Sequence, residues 1–170
     1  MKALFVTTEE GEAVWTGAGD GTSWDDPANW SLTYPGWGEA YPQTDYAYAD
    51  FPGAITATVT FAPRPITVHS INVRGNDAVV TFVNAEGKTR EETELSDVGG
   101  NLNLALGLRA KVVLDGVSIR CGSSYDFGKQ GTDSVIVLQN GAYAYSRNLD
   151  VSNPGAVVEV KEGSYLTLNE

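Results

Sequence analysis

From residue 55 onward, apolar and polar positions alternate in short bursts. Ile55-Thr-Ala-Thr-Val59-Thr-Phe61 is the clearest, followed by Ile66-Thr67-Val68-His69 and Ile71-Asn72-Val73. Further runs cover residues 78–83, 102–106, 111–114, 117–119, 135–138, 142–145, 157–160 and 165–168. A period of two, rich in β-branched residues, marks strands, and Gly, Asn, Asp or Pro bounds each run with turn chemistry. No window of about eleven residues keeps the i, i+3, i+4, i+7 spacing of an amphipathic helix. The nearest, Ala85 to Leu95, is charged without an apolar stripe and is expected to be a solvated loop. The expected class is all-β.

A weak repeat refines that class. Val135-Ile-Val-Leu-Gln-Asn-Gly141-Ala-Tyr aligns with Val157-Val-Glu-Val-Lys-Glu-Gly163-Ser-Tyr at an offset of 22 residues. Val112-Val-Leu-Asp-Gly116 fits the same frame with a turn two residues shorter. Strand, glycine turn, strand and longer return, at a period of roughly 20–25 residues, is the signature of a β-solenoid, whose coils bury their apolar faces against their neighbours. The alternative is a β-sandwich, which also gives short strands but no repeat. The solenoid makes a sharp prediction. Val135 stacks in parallel on Val157, and Gly141 and Gly163 occupy equivalent turns.

The first third of the chain has another character. Residues 1–63 hold one base, Lys2, against nine acids, and all four Trp fall at positions 15, 24, 30 and 37. No Ser/Gly- or Pro-rich linker separates this part from the rest, so one domain is expected. It divides into an arm (1–14), an aromatic Gly/Pro-rich cap (15–53) and solenoid coils (54–170). A solenoid end exposes apolar core and strand edges, and Trp15, Trp24 and Trp30 supply a lid of large apolar area. The other end has no such cover in the sequence. Tyr165-Leu-Thr-Leu168 stops in mid-pattern, so Tyr165, Leu166 and Leu168 are expected at an interface with another chain.

The segment Trp15-Thr-Gly-Ala-Gly-Asp-Gly-Thr-Ser-Trp24-Asp-Asp-Pro-Ala-Asn29-Trp30-Ser31, followed by Pro42-Gln-Thr-Asp45-Tyr-Ala47, resembles the opening of autotransporter-type and other bacterial right-handed parallel β-helix surface proteins. The resemblance implies a short right-handed parallel β-helix with an aromatic N-terminal cap.

Composition narrows the function classes. A formal net charge of -11 disfavours nucleic acid and anionic membrane as partners. One Cys and one His exclude an intrachain disulfide, a Cys-based zinc site and a multi-histidine centre. No apolar run approaches the roughly 20 residues that cross a bilayer as a helix. The apolar start, Leu4-Phe5-Val6, is stopped by Thr7-Thr8-Glu9-Glu10, short of the about 7–15 residues of a signal core, so export by that route is not expected unless a leader was removed.

Several side chains carry candidate chemistry. Asp20, Asp25, Asp26 and Asn29 cluster oxygen donors of the kind Ca²⁺ takes, although Asx residues in Gly/Pro turns also bond their own backbone. Tyr34, Trp37, Tyr41, Tyr46 and Tyr48 extend the lid, form a protein interface or stack on a glycan. Arg109, Lys111 and Asp115 contain the residue types of a polysaccharide-lyase site without its motif. His69 reads as a solvent-facing strand residue and Cys121 as structural. Gly17-Ala-Gly-Asp-Gly completes no nucleotide fingerprint, and Asn29-Trp-Ser31 is a formal glycosylation sequon. No cofactor is expected.

The expected function is that of a non-enzymatic structural protein of a virus particle, a bacteriophage head-decoration or fibre type. It would self-associate, for example as a trimer, or dock on a capsid protein at the virion surface. The alternatives are a bacterial cell-surface or secreted adhesin or stalk module, and a polysaccharide-active enzyme.

Overall fold

The computed structural model describes residues 11–33, 41–44, 46–62, 66–87, 89, 95–98, 102–121, 126–127 and 130–168. Residues 1–10 of the expected arm, Tyr34, Trp37 and most of the expected loop lie outside them. The described residues form sixteen strands: β1 (Gly11–Trp15), β2 (Trp30–Leu32), β3 (Ala47–Phe51), β4 (Thr56–Phe61), β5 (Ser70–Val73), β6 (Val79–Asn84), β7 (Leu95–Val98), β8 (Leu102–Asn103), β9 (Lys111–Asp115), β10 (Ser118–Cys121), β11 (Asp126–Phe127), β12 (Val135–Gln139), β13 (Tyr143–Ser146), β14 (Asn148–Leu149), β15 (Val157–Val160) and β16 (Tyr165–Leu168). They form three sheets, ordered β14-β11-β8-β5-β3-β1-β2, β15-β12-β9-β6-β4 and β16-β13-β10-β7. Every pairing is parallel except β1 with β2. The chain is a parallel β-solenoid of about four turns. No helix among the described residues is long and apolar enough to cross a membrane.

The repeat sets the register. Val135 pairs with Val157 and Leu138 with Val160, in parallel. Gly141 and Gly163 sit in equivalent turns at φ 81° and 76°, the left-handed region that favours glycine. One detail of the repeat is corrected. Lys111, not Val112, pairs with Val135, so the turn through Gly116 is one residue shorter than its successor rather than two. Inward side chains form columns across the second sheet. Val59, Phe82, Leu114, Leu138 and Val160 make one, and Ala57, Val80, Val112, Ile136 and Val158 the other. Such columns are the core.

Other expectations change as well. Residues 66–69 do not form a strand, although Ile66 and Val68 are buried. Alternation there reports which side chains point inward, while strand β5 starts only at Ser70. The run 102–106 yields a two-residue strand and a bridge from Ala105 to Gln130, because the chain turns at Gly107. Strands β1 and β3, in the stretches read as arm and cap, belong to the first sheet, where β3 lies between β1 and β5. Leu95, read as the end of a loop, opens strand β7.

At the corner between the first and second sheets, Gly53, Gly75, Gly107 and Gly131 stack. A Cβ on Gly75 would lie 1.7 Å from the Gly53 carbonyl oxygen, one on Gly107 2.0 Å from that of Gly75, and one on Gly131 2.5 Å from that of Gly107. Here backbone rests on backbone, and only glycine leaves room.

The lid is built as the sequence suggested. Trp15, Trp24 and Trp30 are buried in the core. Trp30 meets Trp15 edge-on at 5.0 Å and Trp24 at 4.9 Å, and Trp24 meets Phe61 at 5.3 Å. Phe51 and Phe61 pass the contact on to Phe82 of the next coil at 5.8 and 5.4 Å. The indole N–H of Trp24 donates to the Pro42 carbonyl at 3.0 Å, and that of Trp30 to the Trp24 carbonyl at 2.7 Å. Both large rings are thus buried with their donors satisfied.

Candidate functional site

At the opposite end, the column that begins at Val59 finishes at Val160. Leu114 and Leu138 in that column are fully buried, whereas Val160 is 46% exposed. Their chemistry is alike; among the described residues no strand pairs with β15 beyond Val160. Tyr165 is 57% exposed and Leu168 47%, while Leu166 is half-buried against the core. Strand β15 pairs only with β12 and β16 only with β13, so among the described residues the outer backbone edges of β15 and β16 meet no strand. The turn between them carries Lys161 and Glu162, and Lys161 Nζ donates to Gln139 Oε1 at 3.2 Å. This end combines exposed apolar side chains with open edges, the features that invite pairing with another chain.

The oxygen cluster of the cap has a different use. Asp20 Oδ1 accepts from the backbone N–H groups of Thr22 and Ser23, each at 2.8 Å, and from Asn29 Nδ2 at 2.8 Å. The Ser23 hydroxyl donates to Asp20 Oδ2 at 2.5 Å. These donors hold the Asp20 carboxyl far below the usual carboxylate range, the Ser23 hydroxyl contributing most. Asp26 accepts from the backbone of Asp20 and Ala28, the latter capping the short 3-10 turn Pro27–Asn29. Asn29 Oδ1 accepts from Gly19 and Gly21, and its amide also donates to the Ser23 carbonyl. The oxygens are turned onto N–H and O–H donors and tie the cap loop together. Asp25 is partly buried beside this network. Among the described residues no group of three or more His, Cys, Asp or Glu side chains is placed to hold a metal ion. Asn29 of the sequon is buried with its amide doubly bonded, so the amide is not presented for glycosylation.

The other candidates scatter. Tyr41 packs half-buried against the core, which makes it part of the lid, and Tyr46 is exposed. His69, read as solvent-facing within a strand, is half-buried outside one, its ring 4.6 Å from that of Tyr48. Cys121 is buried in the core. Arg109 makes a two-bond fork to Asp77 of the previous coil at 2.6 and 2.7 Å. That pairing lowers the Asp77 carboxyl and raises the Arg109 guanidinium, chiefly through its hydrogen bonds. Asp115 instead accepts from Gln139 at 2.9 Å and Asn140 at 2.7 Å, at the far end of β9 from the exposed Lys111. Four residues of extended chain put these two backbones about 13 Å apart. Arg109, Lys111 and Asp115 therefore do not converge.

Two arrangements escaped the sequence reading. On the outer face of the first sheet, Asn72 Nδ2 donates to Asp50 Oδ1 at 2.8 Å, and Asn103 Nδ2 donates to Asn72 Oδ1 at 2.7 Å. Arg74 Nε lies 3.1 Å from Asp50 Oδ1, and its Nη1 lies 3.8 Å from Glu12. Asp50 is buried, and burial raises its carboxyl pKa above the ordinary value, against the opposing pull of Asn72 and Arg74. The signal was present: Asp50 and Asn72 stand 22 residues apart, the period of the later repeat. The second arrangement lies on the outer face of the third sheet. There Tyr143 pairs in register with Tyr165, and the Arg120 guanidinium sits 5.5 Å over the Tyr145 ring. The alternation Ala142-Tyr-Ala-Tyr145, small inside and aromatic outside, announced it.

Compared with known proteins, the chain matches no family model, and neither the curated proteins nor the solved structures give a significant match.

Proposed function

We propose that this chain is a non-catalytic structural protein of a virus particle that joins its neighbours through the open face of its last coil. The observation that carries the reading is the exposure of Val160 in a column whose other members, Val59, Phe82, Leu114 and Leu138, are fully buried. The first coil is covered by tryptophans, whereas β15 and β16 present exposed apolar side chains on which a neighbour can dock. A net charge of -11 keeps unassembled copies apart and soluble. The candidate catalytic residues point the same way, since Arg109 and Asp115 are engaged in separate structural bonds.

The test is mass in solution, by sedimentation over a concentration series, together with binding to purified particles. Association by either route, abolished by Val160→Asp or Leu168→Asp with the circular dichroism unchanged, supports the proposal. A chain that stays monomeric, binds no particle and leaves the β15 and β16 amides open to hydrogen exchange overturns it.

A further inference from the structure

The open face formed by β15 and β16 specifies its partner through the direction of its backbone groups. The N–H groups of Val157 and Lys161 bond back to Ser134 and Leu138, each at 2.9 Å, and that of Tyr165 bonds back to Ala142 at 2.9 Å. Successive residues of a strand turn their backbone groups to opposite edges. Val158 and Val160 in β15, and Leu166 and Leu168 in β16, therefore point N–H and C=O away from the solenoid, along edges that no described strand pairs. The same four residues carry the apolar side chains of this end. Val158 and Leu166 pack half-buried against the core, while Val160 and Leu168 are 46% and 47% exposed.

Strand β15 runs into the turn at Gly163 and β16 runs out of it. A twofold axis through that turn lays β15 antiparallel on β16 of a second copy, and β16 on the copy's β15. One operation thus pairs both open edges, whereas a single edge strand of another protein covers one and leaves the other. Outward backbone groups meet only where an even-numbered residue faces an even-numbered one. With the axis at Gly163, Val160 meets the partner's Leu166 and Val158 meets the partner's Leu168, and both contacts occur twice. The turn offers room, since a Cβ on Gly163 would meet nothing within 4 Å.

Charge selects the same register. Glu159, Lys161 and Glu162 lie on β15 and in the turn, and β16 carries no charge. With the axis at Gly163, Glu159 lies opposite the partner's Thr167 and Lys161 opposite the partner's Tyr165, so like charges do not meet. Tyr165 is exposed, and its ring gives a cation an attractive face. The Lys161 ammonium has three N–H groups and can keep one on Gln139. An axis at residue 162 instead sets Glu162 against the partner's Glu162. An axis at Ser164 carries Val158 past the end of the partner's β16.

We infer that a second copy of this chain covers the open face, in a twofold dimer whose β15 and β16 pair antiparallel about Gly163. The inference rests on the assembly reading above and names its partner. Such an interface uses the same patch on both copies and stops at two. It spans one coil face, at or below the roughly 1,200 Å² where standard interfaces begin, so self-association in the micromolar range is expected.

The test is disulfide cross-linking of the 170-residue chain in oxidised glutathione, beside sedimentation over a concentration series. Glu159 and Thr167 are exposed, and across the dimer they form a non-hydrogen-bonded pair with Cα atoms about 4.5 Å apart, within disulfide reach. A mixture of Glu159→Cys and Thr167→Cys gives a covalent dimer. Each variant alone does not, nor does the parent, whose Cys121 is buried. Glu159→Cys mixed with Tyr165→Cys, which matches the axis at residue 162, cross-links far more slowly. Lys161→Gln weakens the dimer roughly two- to fivefold with unchanged circular dichroism. Equal cross-linking of the two mixtures, cross-linking of Glu159→Cys with itself, or assemblies larger than two overturn the inference. A chain that binds particles through Val160 yet stays monomeric overturns the dimer and leaves the assembly reading standing. A chain that neither self-associates nor binds particles overturns both.

Discussion

The two ends of the solenoid share inward columns of the second sheet and differ in what lies over them. At the first coil, Val59 and Phe61 are fully buried, and Phe61 meets Trp24, which is itself almost completely enclosed. At the last, Val160, in the same column as Val59, and Leu168, which stacks on buried Ser146 in the third sheet, stand nearly half exposed. The difference teaches where stability and interaction separate. Apolar area contributes roughly 25 cal/mol per Å² only when water is removed from it, so a residue type that anchors one end is nearly inert at the other until something covers it. The lid also requires polar bookkeeping that the open end lacks. Its loop is closed by Asn29 and Asp20, whose bonds to backbone N–H groups let the chain cross the end of the core without orphaned donors.

The largest effect is expected where backbone packs on backbone beside the lidded end. Gly75→Ala places a methyl 1.7 Å from the Gly53 carbonyl oxygen, so one coil has to move off the next. A loss of at least about 4 kcal/mol, or failure to fold, is expected in denaturant titration. A loss under about 1 kcal/mol would show that the corner can open and that the glycine column is not required.

Next come the tryptophans against the terminal leucine. Trp24→Ala removes a buried ring that touches Trp30 and Phe61, with an expected cost of about 3–5 kcal/mol. Leu168→Ala in dispersed, monomeric protein is expected to cost under about 0.5 kcal/mol, as for surface changes. Equal losses for the two would erase the distinction between the ends. If Leu168→Ala costs more as concentration rises, the open face is covered by association.

Glycine gives a milder version of the same contrast. A Cβ on Gly163, in the last turn, meets nothing within 4 Å, and only its φ of 76° resists a side chain. Gly163→Ala should therefore cost about 1 kcal/mol, from backbone conformation alone. A cost as large as that of Gly75→Ala would mean that Gly163 also packs against a covering chain.

How far the sequence carried these conclusions depends on the distance over which each signal acts. Alternation and the glycine-punctuated repeat are local and periodic, so the register of Val135 on Val157 could be read directly. The lid was legible because tryptophan is scarce and three of them cluster before the first coil. What stayed hidden was set by neighbours far along the chain. Gly53, Gly75, Gly107 and Gly131 are separated by unequal intervals, because loops of different length intervene, and so they show no period. Strands β8, β11 and β14 are two residues each, too short for any alternation to register. Asp20 and Asn29 were legible as a cluster but not as to polarity, since metal ligands and loop braces share residue types. The outward tyrosines were visible as letters, and only the stacking of β13 on β10 and β16 assembled them with Arg120.

The smallest expected effect concerns charge at the lidded end. Asp50 is buried on the outer face of β3, one coil from the lid, with Asn72 and Arg74 as partners; no comparable buried acid is found among the described residues of the last coil. Burial raises its folded pKa above the ordinary 3.8, so the folded state holds the proton more tightly than the unfolded chain does. Stability from this group is then fully present below the unfolded value and falls as pH rises through the folded value. Asp20 and Asp77 act in the opposite sense. Their pKa values are lowered, and their stabilisation is lost only as pH falls below the ordinary carboxyl range. The two effects occupy different sides of that range, and Asp50→Asn isolates the first. The asparagine keeps an acceptor for the Asn72 amide and removes the ionisation. The variant should therefore gain stability relative to the parent as pH rises from about 4 to 7, with the curves converging at the acid end. The loss of the Arg74 pair subtracts little, because Arg74 is about half exposed. Parallel denaturation curves across that range, with a constant offset between variant and parent, would show that Asp50 titrates as an ordinary surface acid and that burial at this end carries no electrostatic cost.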